Sequence, residues 1–220
     1  MEKTIWVNGA EFILVEVSKL NLLDDFMHHT PKTDQEKAFK ELLTEVIKSG
    51  VSDFYRPRLD PSLDRQGRIC YQAGLKPALG QTYRWWKNNA KEFCPGRKSR
   101  LGTNSEYVAF LGDLLKKLVA SGWSITDAWN AVCNNSRKLG HYWDSKGALF
   151  DFETTGSREI CGFCDLGNAR KILDDLVVGF WCGGGTYDSF GYYSPLAKLI
   201  CFVDPNNKLY YSVGWIVLEK

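Results

Sequence analysis

The chain has 220 residues, of which 44% are hydrophobic and 25% are charged, a composition typical of a globular protein rather than a disordered one. Its 28 basic and 26 acidic residues leave a formal net charge of +2, so electrostatics favours neither a nucleic acid nor an anionic membrane as partner. No apolar run reaches membrane-spanning length, and the Met1–Thr4 start lacks the apolar stretch of a signal peptide. We therefore expect no membrane insertion and a cytoplasmic location after synthesis, with incorporation into a virion as the alternative.

The first part of the chain predicts a β-hairpin followed by a helix. Residues 4–17 alternate in a strand-like way around the Asn-Gly pair at 8–9, which favours a type I′ turn. The helix is expected to begin after Thr33, in a capping box with a glutamate three residues later, and to stop at Gly50. Residues 51–80 are rich in proline and turn residues, which predicts an irregular stretch that is either a long surface segment or a small subdomain linker.

Three further helices are predicted before residue 150. One spans about 82–93, a second begins at Thr103 in a capping box with Glu106, and a third is capped by Ser124 and ends near Gly140. The helix after Thr103 has the most regular apolar spacing in the chain, which predicts a buried face. That face consists of Tyr107, Phe110, Leu111, Leu114, Leu115 and Leu118.

The last part of the chain changes character. Helical spacing fades after Gly156, and residues 176–218 include ten aromatic side chains but four charged ones. Short apolar runs bounded by glycine and turn residues indicate β-strands there. The expected strands are Val177–Cys182, Leu196–Val203, Leu209–Ser212 and Gly214–Leu218.

Three blocks in this region carry a resemblance to a known family. Residues 161–169, C-G-F-C-D-L-G-N-A, are similar to the G-L-Y-D-M-x-G-N-V signature of C-type lectin domains of the formylglycine-generating-enzyme type. Residues 179–185 stand where that family has an R-G-G-S-W strand, and residues 213–218 resemble its closing strand. The chain also resembles the variable proteins of diversity-generating retroelements of phages and bacteria, whose hypervariable residues lie between the second and third blocks.

The resemblance implies an α+β protein with a C-type-lectin-like fold, supporting helices, and an N-terminal extension made of a hairpin and a helix. It divides the chain into residues 1–80, with the hairpin, helix and irregular segment, and residues 81–220, the lectin-like domain. Within that domain, residues 180–218 form the region of variable type.

This region also has the composition of a binding surface. Tyrosine offers a large contact area at low entropic cost, and small polar residues supply adaptable hydrogen bonds, as in antibody paratopes. The same residues also occur in ordinary strands and turns, which is the alternative reading. The candidate ligand-binding residues are Thr186, Tyr187, Asp188, Ser189, Phe190, Tyr192, Tyr193, Ser194, Phe202, Asp204, Asn206, Tyr210 and Tyr211.

We therefore expect a protein that binds a protein or glycan ligand, such as one on a cell surface, and that gains avidity as a homo-oligomer. The alternatives are a copper-dependent oxidase of the formylglycine-generating type and a structural component of a phage. The oxidase would need a closely spaced cysteine pair after residues 179–185, and Cys182 is followed next by Cys201. The Cys161-x-x-Cys164 pair could supply two of the four ligands of a structural zinc site, but the sequence contains no second such pair. We therefore expect no metal, no cofactor and no enzymatic activity.

Overall fold

The computed structural model describes residues 3–22, 28–59, 61–72, 75, 78, 80–134, 161–163, 178–181, 201–203, 212–214 and 216–220. These residues form a mixed α+β protein, as the sequence predicts at that coarse level. The helices are α1 (Asp34–Ser49), α2 (Tyr83–Phe93), α3 (Asn104–Ala120) and α4 (Ile125–Asn134). Short 3₁₀ helices lie at Val17–Leu22 and Pro95–Arg97.

Eleven strands are described. The strands before α3 are β1 (Thr4–Val7), β2 (Ala10–Val15), β3 (Phe54–Pro57), β4 (Ser62–Leu63), β5 (Ile69–Cys70) and β6 (Arg100–Leu101). The strands after α4 are β7 (Cys161–Phe163), β8 (Val178–Trp181), β9 (Cys201–Val203), β10 (Ser212–Gly214) and β11 (Ile216–Glu219).

The predicted N-terminal hairpin is confirmed. Strands β1 and β2 pair antiparallel with Val7 opposite Ala10. The two residues between them, Asn8 and Gly9, have φ values of 49° and 74°, as a type I′ turn requires.

The four predicted helix starts are confirmed, each with a side-chain cap. The Thr33 hydroxyl accepts a hydrogen bond from the Glu36 amide of α1, and Gly50 ends that helix in the left-handed conformation. Thr82 caps α2 in the same way, and Ser124 accepts from the amide of Asp127 in α4. The capping box of α3 is complete, with Thr103 and Glu106 each accepting from the other's amide.

Five strands form an antiparallel sheet in the order β1-β2-β3-β11-β6. Helices α1, α3 and α4 cover one face, where Val15 and Val217 join a core with the predicted apolar face of α3. Helix α2 covers the other face, where Phe12, Ile216 and Leu218 pack with Trp86. Because both faces are covered, the β2 run F-I-L-V is continuously apolar rather than alternating.

Two expectations are corrected by this sheet. Residues 51–80 are not simply irregular: they contain β3, β4 and β5, and β3 lies inside the sheet between β2 and β11. The expected strand Gly214–Leu218 is instead divided, because β10 ends at Gly214 and belongs to a second sheet while β11 begins at Ile216 in the first. Strand β7 was not predicted.

Strands from both sides of residue 80 share this sheet and both of its cores. The division of the chain at residue 80 stays a prediction. Among those residues, no helix is at once long enough and apolar enough to cross a membrane.

Candidate functional site

The predicted binding residues belong to the part of the chain that joins the strands of the second sheet. This sheet has the order β10-β7-β8-β9. Residues 182–200 connect β8 to β9, and residues 204–211 connect β9 to β10. Both stretches lie outside the described residues. They include the predicted positions Thr186, Tyr187, Asp188, Ser189, Phe190, Tyr192, Tyr193, Ser194, Asp204, Asn206, Tyr210 and Tyr211.

The backbone of one predicted residue is described. Phe202 lies in β9, where it is opposite Gly179 of β8 in an antiparallel pair. Because β8 and β9 are antiparallel, the end of β8 at Trp181 and the start of β9 at Cys201 lie at the same end of the sheet. The described strands therefore hold both ends of the segment 182–200 close together.

The opposite edge of the second sheet is fixed against α2 by a close contact. An ideal Cβ on Gly214 of β10 would lie 2.5 Å from two ring carbons of Trp86. The Trp86 side chain is fully buried and packs on its other side against the first sheet. Because Gly214 has no side chain, the backbone of β10 can lie directly against the Trp86 ring of α2.

Strand β11 follows β10 in the chain, and the residue after its end, Lys220, forms an ion pair with Asp53. Lys220 donates to Asp53 at 2.8 Å, and the amide and hydroxyl of Ser18 donate to the other Asp53 carboxylate oxygen at 3.1 and 3.0 Å. Burial opposes ionisation of Asp53, but the hydrogen bonds from Lys220 and Ser18 outweigh it and lower the pKa of that carboxyl. The Asp53 carboxylate raises the pKa of Lys220 in turn.

A charged cleft of about 780 Å³ lies beside this end of β11. Its most constrained pair is Arg100 and Glu106, whose guanidinium and carboxylate form two hydrogen bonds of 2.8 and 2.6 Å. Glu106 also accepts from the Thr103 amide at 2.7 Å and is 5% exposed. Since this carboxylate is occupied by partners within the chain, its role is to join β6 to the start of α3.

The described residues contain no group of three histidine, cysteine or carboxylate side chains arranged to hold an ion. Cys161 lies in β7, where its backbone pairs with Ser212 of β10. Cys164 and Cys182, which bear on the zinc and copper alternatives, lie outside the described residues.

Comparison with known proteins adds no relative: no family model, curated protein or solved structure matches the chain. The class that the structure defines is an α+β protein with a five-stranded antiparallel sheet covered by helices on both faces. The likeness to C-type lectin domains stays a prediction from the three sequence blocks.

Sequence reasoning missed a second cleft, of about 470 Å³, between the β1–β2 turn, the β4–β5 hairpin and the end of α2. Its lining comes from three separate stretches of the chain. No local motif brings those stretches together, so no sequence signal indicates the cleft. The lining residues are Asn8, Asp64, Arg68, Ile69, Cys70, Asn89, Glu92 and Phe93.

Proposed function

We propose that this chain is a non-catalytic ligand-binding protein that displays a tyrosine-rich, sequence-tolerant surface on a C-type-lectin-like framework. The observation that carries the proposal is the composition of residues 186–194, T-Y-D-S-F-G-Y-Y-S, which combines rigid aromatic contact groups with small polar ones. The ligand class is a protein or glycan, as on a cell surface.

The described framework supports this proposal by fixing the strands around the candidate surface. In the second sheet, the pairing of β8 with β9 places the two residues that flank the segment 182–200 close together. The edge strand on the other side of this sheet, β10, packs against Trp86 at Gly214. The next strand, β11, lies inside the first sheet. Apart from Phe202 in β9, the candidate residues therefore belong to the two stretches of chain, 182–200 and 204–211, that connect these strands, and connecting segments are where binding residues are commonly found.

A genetic observation tests the retroelement part of the proposal. We expect a reverse transcriptase gene beside the coding sequence, together with an imperfect copy of the codons for residues 186–211. Differences between the copies should fall at adenines of the template. A genome of origin without either feature would contradict diversification by a retroelement.

A display experiment tests whether residues 186–194 tolerate substitution, as a display surface must. Codons 186–194 are randomised, and in a matched library the six apolar positions of the α3 face are randomised instead. We expect most members of the first library to resist protease and most of the second to be degraded, because the α3 positions are buried. Equal loss of folded members in both libraries would mean that residues 186–194 belong to a packed core.

The oxidase alternative is separated by a reaction assay with copper and a thiol-containing peptide. Oxidation of the peptide cysteine to formylglycine at a rate proportional to protein would overturn the non-catalytic assignment.

A further inference from the structure

The cleft at the end of α2 is lined by three elements that the tertiary structure brings together. The β1–β2 turn supplies Asn8, the β4–β5 hairpin supplies residues 64–70, and the last two turns of α2 supply Asn89, Glu92 and Phe93. None of these residues belongs to the candidate surface of residues 186–211. A site here would therefore be independent of the proposed display function.

Two asparagine side chains in the lining have their amide groups held in one orientation. The Asn8 side-chain nitrogen donates to the Phe93 carbonyl at the end of α2. The Asn89 side-chain nitrogen donates to the Trp85 carbonyl one turn earlier, at 2.9 Å. Each of these nitrogens has a second hydrogen, so each amide can offer a ligand one N–H donor and its carbonyl oxygen, and the carbonyl oxygen is the group that a cation would use.

The charge of the lining is negative once internal pairs are considered. Asp64 is paired with Arg68 at 2.8 Å, and the two backbone amides at Gln66 and Arg68 also donate to its carboxylate. Glu92 is exposed on the helix surface and adds a negative charge. The cleft also adjoins the carboxyl end of α2, where the aligned peptide dipoles place partial negative charge.

The apolar part of the lining is provided by Ile69, Phe93 and the half-buried Cys70. Burial, followed by the charge of Asp64, raises the pKa of the Cys70 thiol. The thiol therefore stays protonated near neutral pH and adds a small neutral side chain to the cleft. We propose that this cleft binds a small organic ammonium ion, with its apolar body against Ile69 and Phe93 and its charged group toward Asn8, Asn89 and Glu92.

A titration followed by nuclear magnetic resonance tests the site with a matched pair of probes. Phenethylammonium and 2-phenylethanol share the same aromatic body and differ in the charged group. We expect phenethylammonium to shift the side-chain amide signals of Asn8 and Asn89 saturably by low-millimolar concentrations. The uncharged alcohol should shift them less and without saturation. Equal shifts from both probes, or no shifts from either, would overturn the proposal.

A charge-removing variant tests the role of the helix carboxylate. Glu92→Gln keeps the shape of an exposed side chain, so the fold should be unaffected. We expect the dissociation constant for phenethylammonium to rise roughly two- to fivefold, the range for loss of one exposed charge interaction. The control Glu45→Gln alters an exposed carboxylate on α1 that is not part of the lining and should leave the constant unchanged. An unchanged constant in Glu92→Gln would refute the ammonium assignment.

A third variant, Tyr187→Ala, keeps the two proposals distinguishable. It changes the candidate display surface and no residue of the cleft, so amine binding should be the same as in the parent protein. Loss of amine binding in this variant would mean that the cleft is not independent of the display surface.

Discussion

At Gly214 the backbone passes so close to the Trp86 indole that a methyl group has no room. Trp86 is fully buried between the second sheet and the core of the first, so the ring cannot move aside without disturbing its neighbours. The contact shows how one missing side chain sets the distance between α2 and β10.

Gly214→Ala should therefore destabilise the protein by about 1–3 kcal/mol, the usual cost of forcing an extra methyl group into a packed core. The free energy of unfolding measured in urea gives the comparison. Gly96→Ala is the matched control, because nothing lies within 4 Å of a Cβ added there, and its effect should stay within about 0.5 kcal/mol. Similar values for the two variants would show that the ring and strand adjust freely.

Strand β11 depends on contacts at its end as well as on its pairing with neighbours. Asp53 receives hydrogen bonds from Ser18 and Lys220, so it joins the segment before β3 to the 3₁₀ helix after β2 and to the residue after β11. Its pKa in the folded protein lies below the ordinary value of 3.8. Its contribution to stability is therefore present above the unfolded pKa and is lost as the pH falls through the folded one.

Asp53→Asn should cost about 1 kcal/mol above pH 5, and the difference from the parent protein should shrink steadily as the pH falls below about 4. Urea unfolding of both proteins at a series of pH values measures the difference. Subtraction cancels Glu16 and Asp64, whose pKa values are also lowered, mainly by hydrogen bonds from Lys3 and from the Arg68 amide respectively. A difference that stayed constant to pH 3 would show that ionised Asp53 has no special role.

At the scale of the whole molecule, strand β11 connects the two cores of the first sheet. β11 lies between β3 and β6, and its residues Ile216, Val217 and Leu218 are all fully buried. Because successive residues point to opposite faces, Val217 joins one core while Ile216 and Leu218 join the other. Burial of three such side chains contributes about 5–9 kcal/mol, which is comparable with the total stability of a typical domain.

Deletion of residues 216–220 should therefore abolish cooperative unfolding, since it removes a strand that contributes to both cores and leaves β3 and β6 unpaired on that side. Near-ultraviolet circular dichroism and urea titration give the readout. Deletion of Lys220 alone keeps β11 complete and should keep a cooperative transition. A shortened chain that still unfolded cooperatively would show that the sheet is stable without its internal strand.

Local sequence signals were sufficient to predict the elements that depend on neighbouring residues. The Asn-Gly turn at 8–9, the caps at Thr33 and Thr103, and the apolar spacing along α3 each depend on neighbours within a few residues. Such short-range hydrogen bonds and side-chain periods can be read without knowing the rest of the fold. The candidate display residues were chosen from composition, and their placement stays a prediction because all but Phe202 lie outside the described residues.

The sequence by itself determined the hairpin, the starts of four helices and the mixed α+β character. Only the tertiary structure decided that β3 is an internal strand, that β10 and β11 belong to different sheets, and that Asn8, Cys70 and Asn89 line one cleft. The physical reason is the distance along the chain between the residues that interact. A turn or a cap is stabilised by adjacent residues, whereas strand order and clefts depend on contacts between segments far apart in the chain, such as the pairing of Leu218 with Tyr55.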